Sequence, residues 1–69
     1  MENQLLEAHQ ERVVDELIEL NRRAINLTIF RNSDSFNQVD SEEQKRLIKQ
    51  LDIMQSYREI LNERINNFK

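Results

Sequence analysis

The residues of this chain best suited to chemistry are His9 and the arginines Arg22, Arg23, Arg58 and Arg64. A guanidinium presents a planar fork of donors that fits phosphate oxygens. A histidine ring can transfer a proton or stack flat on another ring. His9, Glu11 and Asp15 have the residue types of an acid–base set. They fall on the first turns of a helix, however, with nothing in one protomer to bury them. The chain has no cysteine and no glycine, so a thiol nucleophile, a disulfide and a glycine-rich phosphate loop are all excluded. A single histidine without cysteine argues against structural zinc. The sequence therefore reads as that of a binding protein, not an enzyme, with no metal and no cofactor.

Arg58 and Arg64 fall within or beside apolar stripes, where an unpaired charge is costly. One solution is a salt bridge to an acid of the first helix, such as Glu16. The other is an assembly that gathers copies of one arginine around a shared anion, for which a multiply charged phosphate is suited. Arg22 and Arg23 either lie on a solvated face, with Arg23 paired to Glu19 one turn away, or form a second anion site. His9 lies beside an apolar stripe, as an interface-edge ring or as a ring that stacks on a ligand base. Tyr57 reads as interface core with its hydroxyl on a polar partner.

Two helices must hold these groups. Leu6, Val13, Leu17, Leu20, Ala24 and Leu27 recur at helical spacing, and Val14, Ile18, Ile25 and Ile29 form a second series beside them. No glycine or proline interrupts the chain. The spacing predicts a helix over about residues 3–30. Residues 31–40 (RNSDSFNQVD) are rich in turn-forming side chains and read as a loop whose Phe36 closes the apolar end. A second helix is expected over about 41–68, opened by a capping box from Asp40 with Glu43 or from Ser41 with Gln44. Its seam series is Leu47, Leu51, Met54, Leu61, Ile65 and Phe68, with Arg58 in one slot. A second series holds Ile53, Tyr57 and Ile60 and reaches Arg64. The fold class is thus all-α, a single domain over 1–69, with an antiparallel two-helix hairpin.

Each helix carries two adjoining apolar stripes, and a lone hairpin has one internal interface. Chains this short usually complete themselves with disulfides, a metal or partners. Without cysteine, assembly into a compact homo-oligomer is the expected solution. Charged residues make up 33% of the chain and the net charge is −3, which disfavours DNA as a partner. Acids crowd residues 2–19, and Arg22, Arg23 and Arg31 follow; this order complements a helix dipole. No apolar run has the length of a membrane span, so a cytoplasmic location is expected.

The segments HQERVVDELIELNRRAINLTIF (9–30) and EEQKRLIKQLDIMQSYREILNERI (42–65) resemble small phage proteins. These are the helical-hairpin sponges of the anti-CBASS family, whose hairpin is shared with the anti-Thoeris sponges. HQERVVDE (9–16), NL..F (26–30) and M..Y..IL..RI (54–65) carry the resemblance, in order and over nearly the whole chain. It implies a phage protein in the cytoplasm of the infected bacterial host, assembled as a homohexamer. Such a protein binds the cyclic di- and trinucleotides of CBASS immunity without cleaving them. Dinucleotides would lie between paired protomers and trinucleotides on three-fold axes. By the same resemblance, His9 stands where the family has a base-stacking aromatic, and Arg23, with Arg22 beside it, stands where it has a phosphate-binding basic residue. Arg64, with Asn26 or Thr28, corresponds to the trinucleotide site. The competing reading is a hairpin interaction protein that inhibits or adapts a host protein.

Overall fold

The computed structural model describes residues 6–68. Two helices, α1 (Ala8–Arg31) and α2 (Ser41–Asn66), are joined by a 3-10 turn at Asp34–Gln38, and the described residues contain no strand. Glu7 precedes α1 in extended conformation, and its N–H donates to Gln10 Oε1 at 3.0 Å. That bond satisfies one of the amides a helix start leaves bare. The helix thus begins at Ala8, not near residue 3; residues 1–5 lie outside the described part, and Leu6 and Glu7 precede the first turn. At the far end, the Asn32 N–H donates to the carbonyls of Thr28 (3.1 Å) and Ile29 (3.2 Å). Arg31 adds positive charge where the helix dipole is negative.

The connection is more ordered than its turn-rich composition suggests. Phe36 is buried and meets Phe30 edge-on, with ring centroids 5.9 Å apart. The Arg31 guanidinium lies 5.1 Å from the centre of the Phe36 ring, within cation–π range. Asp40 caps α2 by accepting from the Glu42 N–H at 3.1 Å. Gln44 reaches back to the connection instead of closing a capping box. Its amide nitrogen donates to the carbonyls of Phe36 (2.8 Å) and Val39 (2.9 Å). One side chain of α2 thereby holds the second half of the turn and the residue after it.

The seam between the helices is narrow. Leu61 is wholly buried and forms the core with Val13 and Leu20, while Leu17, Met54, Ile65 and Phe68 pack around it. Ala24 is buried too, and its small side chain suits a close approach of the helices. Apart from the half-buried Val14, the second apolar series of each helix stays in solvent: Ile18 is 61% exposed, Ile25 55%, Ile29 64%, Ile53 62% and Ile60 53%. These values decide that one hairpin buries only one stripe per helix.

Truncating Leu61 removes the one side chain with no solvent contact. Leu61→Ala should cost about 2–5 kcal/mol, read from urea unfolding by far-UV circular dichroism at fixed protein concentration. A loss below about 1 kcal/mol would show that the seam does not depend on it.

Candidate functional site

Leu61 packs with Val13 and Leu20, which flank Leu17 on α1, so Leu61 is level with about Leu17. From that level the two helices run in opposite directions, at about 1.5 Å per residue. Helical rotation of about 100° per residue then assigns the remaining side chains to two flanks. One flank carries His9, Glu16 and Arg23 from α1 with Tyr57 and Arg64 from α2, and Ile53 and Ile60 just beyond. The other carries Val14, Asn21 and Thr28, with Ile18 and Ile25 beyond, facing Ile48, Gln55 and Asn62 of α2. The surplus stripe of α1 and that of α2 are therefore on opposite flanks of the hairpin.

Several sequence candidates meet on the Tyr57 flank. Arg23 is level with about Gln55 and within a turn of Tyr57. His9 and Arg64 occupy the terminal end, separated by roughly 8 Å along the axis. His9 is exposed, and its Nδ1 lies 3.9 Å from Glu7 Oε1. Asn26 sits at the outer edge of this flank and is exposed. Thr28 is on the opposite flank, where its hydroxyl donates to the Ala24 carbonyl at 2.8 Å. Within one protomer, then, Asn26 or Thr28 does not join Arg64, which is level with the turn around Val14. Arg22 points away from α2, between the two flanks.

The charges divide unevenly. Arg22 and Arg23 share the single carboxylate of Glu19: Arg22 forms the shorter ion pair, and Arg23 Nε donates at 3.3 Å. Two guanidiniums on one carboxylate leave a net positive charge. The hydrogen bond from Arg22 lowers the Glu19 pKa from 4.5, more than desolvation opposes it, and the charges of Arg22 and Arg23 act in the same direction. The same pairing raises Arg22. Arg58, half-buried in the seam, donates to Gln55 Oε1 at 3.1 Å. No described carboxylate lies within 4.0 Å of Arg58 or Arg64. The expected Arg58–Glu16 bridge is therefore not formed, because Arg58 turns toward the Gln55 flank and Glu16 lies on the other. Tyr57, expected in an interface, is 38% exposed in the single hairpin and stands at the rim of the seam.

Among the described residues there is no metal-binding cluster of histidine and carboxylates, and no pocket is enclosed by the hairpin. No helix in the described part is long and apolar enough to cross a membrane. Sequence reasoning overlooked Asn21. Its Oδ1 is shut from solvent with no hydrogen-bond partner. The signal was available, since an asparagine at position 21 interrupts the series Val14, Ile18, Ile25 and Ile29.

The described residues form a short all-α hairpin with exposed apolar flanks and arginines that only Glu19 partly neutralises. The Sequestin family profile matches residues 7–67, almost all of the described hairpin, and the chain belongs to that family. The family name denotes sequestration, in keeping with the resemblance to phage sponges. No curated protein and no solved structure matches the chain.

In a pH titration followed by carboxyl NMR, Glu19 should titrate below 4.5. Arg22→Gln should move it back up. The pairing exists only while Glu19 is ionised, so its contribution to stability is present above the carboxylate's unfolded pKa and lost as pH falls through the lowered one. A Glu19 that titrates at its ordinary value in both proteins would remove the ion pair from solution.

Proposed function

We propose that this protein is a phage counter-defence sponge that sequesters phosphate-bearing cyclic nucleotide messengers without cleaving them. The messengers named by its sequence resemblance are the cyclic di- and trinucleotides of bacterial CBASS immunity. The protein acts as a homo-oligomer, by the same resemblance a hexamer, in the cytoplasm of the infected host. Its ligands lie at seams between copies.

The observation that carries this reading is the Tyr57 flank. There an exposed aromatic ring and two exposed isoleucines stand beside arginines that are not fully neutralised. Bases are flat and apolar on their faces, and stacking on aromatic or arginine planes is tolerant of sequence. Phosphates want guanidinium forks. Tyr57 with Arg23 supplies both at the middle of the flank; at its end stand His9 and Arg64, which the resemblance assigns to the dinucleotide and the trinucleotide site respectively. A nucleotide on an open flank of one hairpin keeps one face in water. A second copy laid over that flank encloses it and makes binding tight enough for sequestration. His9 stacks less strongly than the aromatic it replaces in the family, so trinucleotide binding through Arg64 is the firmer half of this assignment. Arg22 and Arg23 offer phosphate contacts, and Asn26 or Thr28 reaches Arg64 only from another copy.

Titration calorimetry with a panel of cyclic di- and trinucleotides tests the reading, with intact ligand recovered after denaturation. The panel includes the messengers of Thoeris immunity, because the hairpin is shared with sponges against that system. Arg64→Ala should reduce trinucleotide affinity at least tenfold, the loss of about 1.4 kcal/mol expected for one charge-assisted contact. Dinucleotide binding should survive it. Absence of binding by every messenger at micromolar concentration would overturn the sponge and favour the hairpin inhibitor or adaptor. Recovery of a cleaved ligand would make the protein an enzyme.

A further inference from the structure

Apolar spacing is interrupted in both helices at one level of the hairpin. Asn21 breaks the series Val14, Ile18, Ile25 and Ile29, and Arg58 takes a slot between Met54 and Leu61. With Leu61 level with about Leu17, the position opposite Asn21 falls between Gln55 and Arg58. These three side chains share one flank. Asn21 Oδ1 is shut from solvent and accepts no hydrogen bond. Arg58 is half-buried, has no described carboxylate within 4.0 Å, and donates one N–H to Gln55 Oε1 at 3.1 Å. Gln55 is itself tied along α2, its Nε2 donating to Glu59 Oε2 at 3.3 Å. A guanidinium has five N–H groups, so Arg58 retains donors for a second acceptor. A buried acceptor without a donor is costly, and so is a cation held in an apolar seam. Each group holds what the other lacks.

We propose that Arg58 clasps Asn21 across the seam, its guanidinium bridging Gln55 Oε1 and Asn21 Oδ1, and that this clasp selects the face of α2 that meets α1. Apolar surface alone leaves that choice open. The stripe Leu47, Leu51, Met54, Leu61 and Ile65 competes with Ile53, Tyr57 and Ile60, which are centred about 100° around the same helix. Turning α2 by that angle brings Ile53, Tyr57 and Ile60 against α1 and swings Arg58 away from Asn21. Burial is non-directional, so it discriminates poorly between two apolar faces. The polar pair does discriminate, because only the observed face sets Arg58 beside Asn21. A polar residue at one seam position is a known means of specifying how helices pair, at some cost in stability. The selected face also keeps Tyr57 at the rim of the seam, on the flank of Arg23.

The clasp is internal to one chain and needs neither a ligand nor an assembly, so it stands or falls apart from the sponge. Asn21→Leu, Arg58→Met and the double variant are compared with the parent chain by urea unfolding at fixed protein concentration. A clasp makes the two substitutions non-additive. The product of the parent and double-variant folding constants should exceed that of the single variants roughly tenfold, as one charge-assisted hydrogen bond gives. The double variant should fold at least as stably as the parent, because an apolar pair replaces a polar one. Its packing should nevertheless lose uniqueness, which nuclear Overhauser contacts report. In the parent, Leu61 methyls should contact Val13 and Leu20, and the Arg58 guanidinium should contact the Asn21 carboxamide. In the double variant a second set should appear, from Ile60 to Leu17 and Leu20. Additivity to within about twofold, or a double variant that keeps the Leu61 contacts alone, overturns the clasp. Absence of the Arg58–Asn21 contact in the parent overturns it too, and that measurement depends on no variant.

Discussion

The structure depends on a single apolar seam. Leu61, Val13 and Leu20 form its buried centre, with half-buried side chains continuing it toward the termini. Every other group is placed by the register this seam imposes. Arg23 comes near Tyr57, and Arg58 near Asn21, because Leu61 sits level with Leu17. A shift of one helical turn would change all of these pairings together. The register is held at the other end by Gln44, whose two hydrogen bonds tie α2 to the connection, and by the stacked group of Phe30, Arg31 and Phe36. The apolar seam supplies most of the attraction, since burial is non-directional. The polar ties at the closed end choose among the ways it can be made.

A seam with so few fully buried side chains is a weak basis for an independent domain. On the proposed reading, the exposed isoleucines are the remainder of a core divided between chains. Soluble monomers rarely expose contiguous apolar patches, and those that do usually use them. Their distribution is informative, because they fall on opposite flanks. One flank joins its isoleucines to an aromatic ring and arginines. The other joins them to amides and acids. Arg23 and Arg64 belong to the first, and Arg58 turns toward the second, where it donates to Gln55.

Much of this was legible in the sequence. The two helices, the connection and the membership of each apolar stripe follow from spacing alone, because no glycine or proline interrupts the period. The resemblance of 9–30 and 42–65 to phage sponges agrees with the Sequestin match. What escaped was cross-chain information. Helical periodicity places Arg58 in the seam, but only the pairing of the helices shows that Glu16 is on the wrong side to meet it. The capping role of Gln44 looked local and proved to be long-range, eight residues back to Phe36. The first helix was read as starting near residue 3, because nothing there forbids a helix. The bond between the Glu7 N–H and Gln10 marks a start that composition does not reveal.

The division of flanks also explains how an acidic chain can serve anionic ligands. A net charge of −3 repels nucleotides at long range, and screening confines that effect to about 10 Å in ordinary salt. Recognition is therefore decided by local charge. The shared carboxylate of Glu19 leaves the Arg22–Arg23 pair positive, and Arg64 has no described acid within ion-pair distance. Such groups are exposed and hydrated in the free hairpin, and a second copy laid over them would strip that water at a cost. An assembly formed over them is thus stabilised by any anion that fits, and the ligand contributes to holding the copies together. Binding and assembly would then be reciprocal: the factor by which assembly tightens the ligand is the factor by which the ligand tightens assembly. On the proposed sponge reading, that coupling allows tight retention from a very short chain.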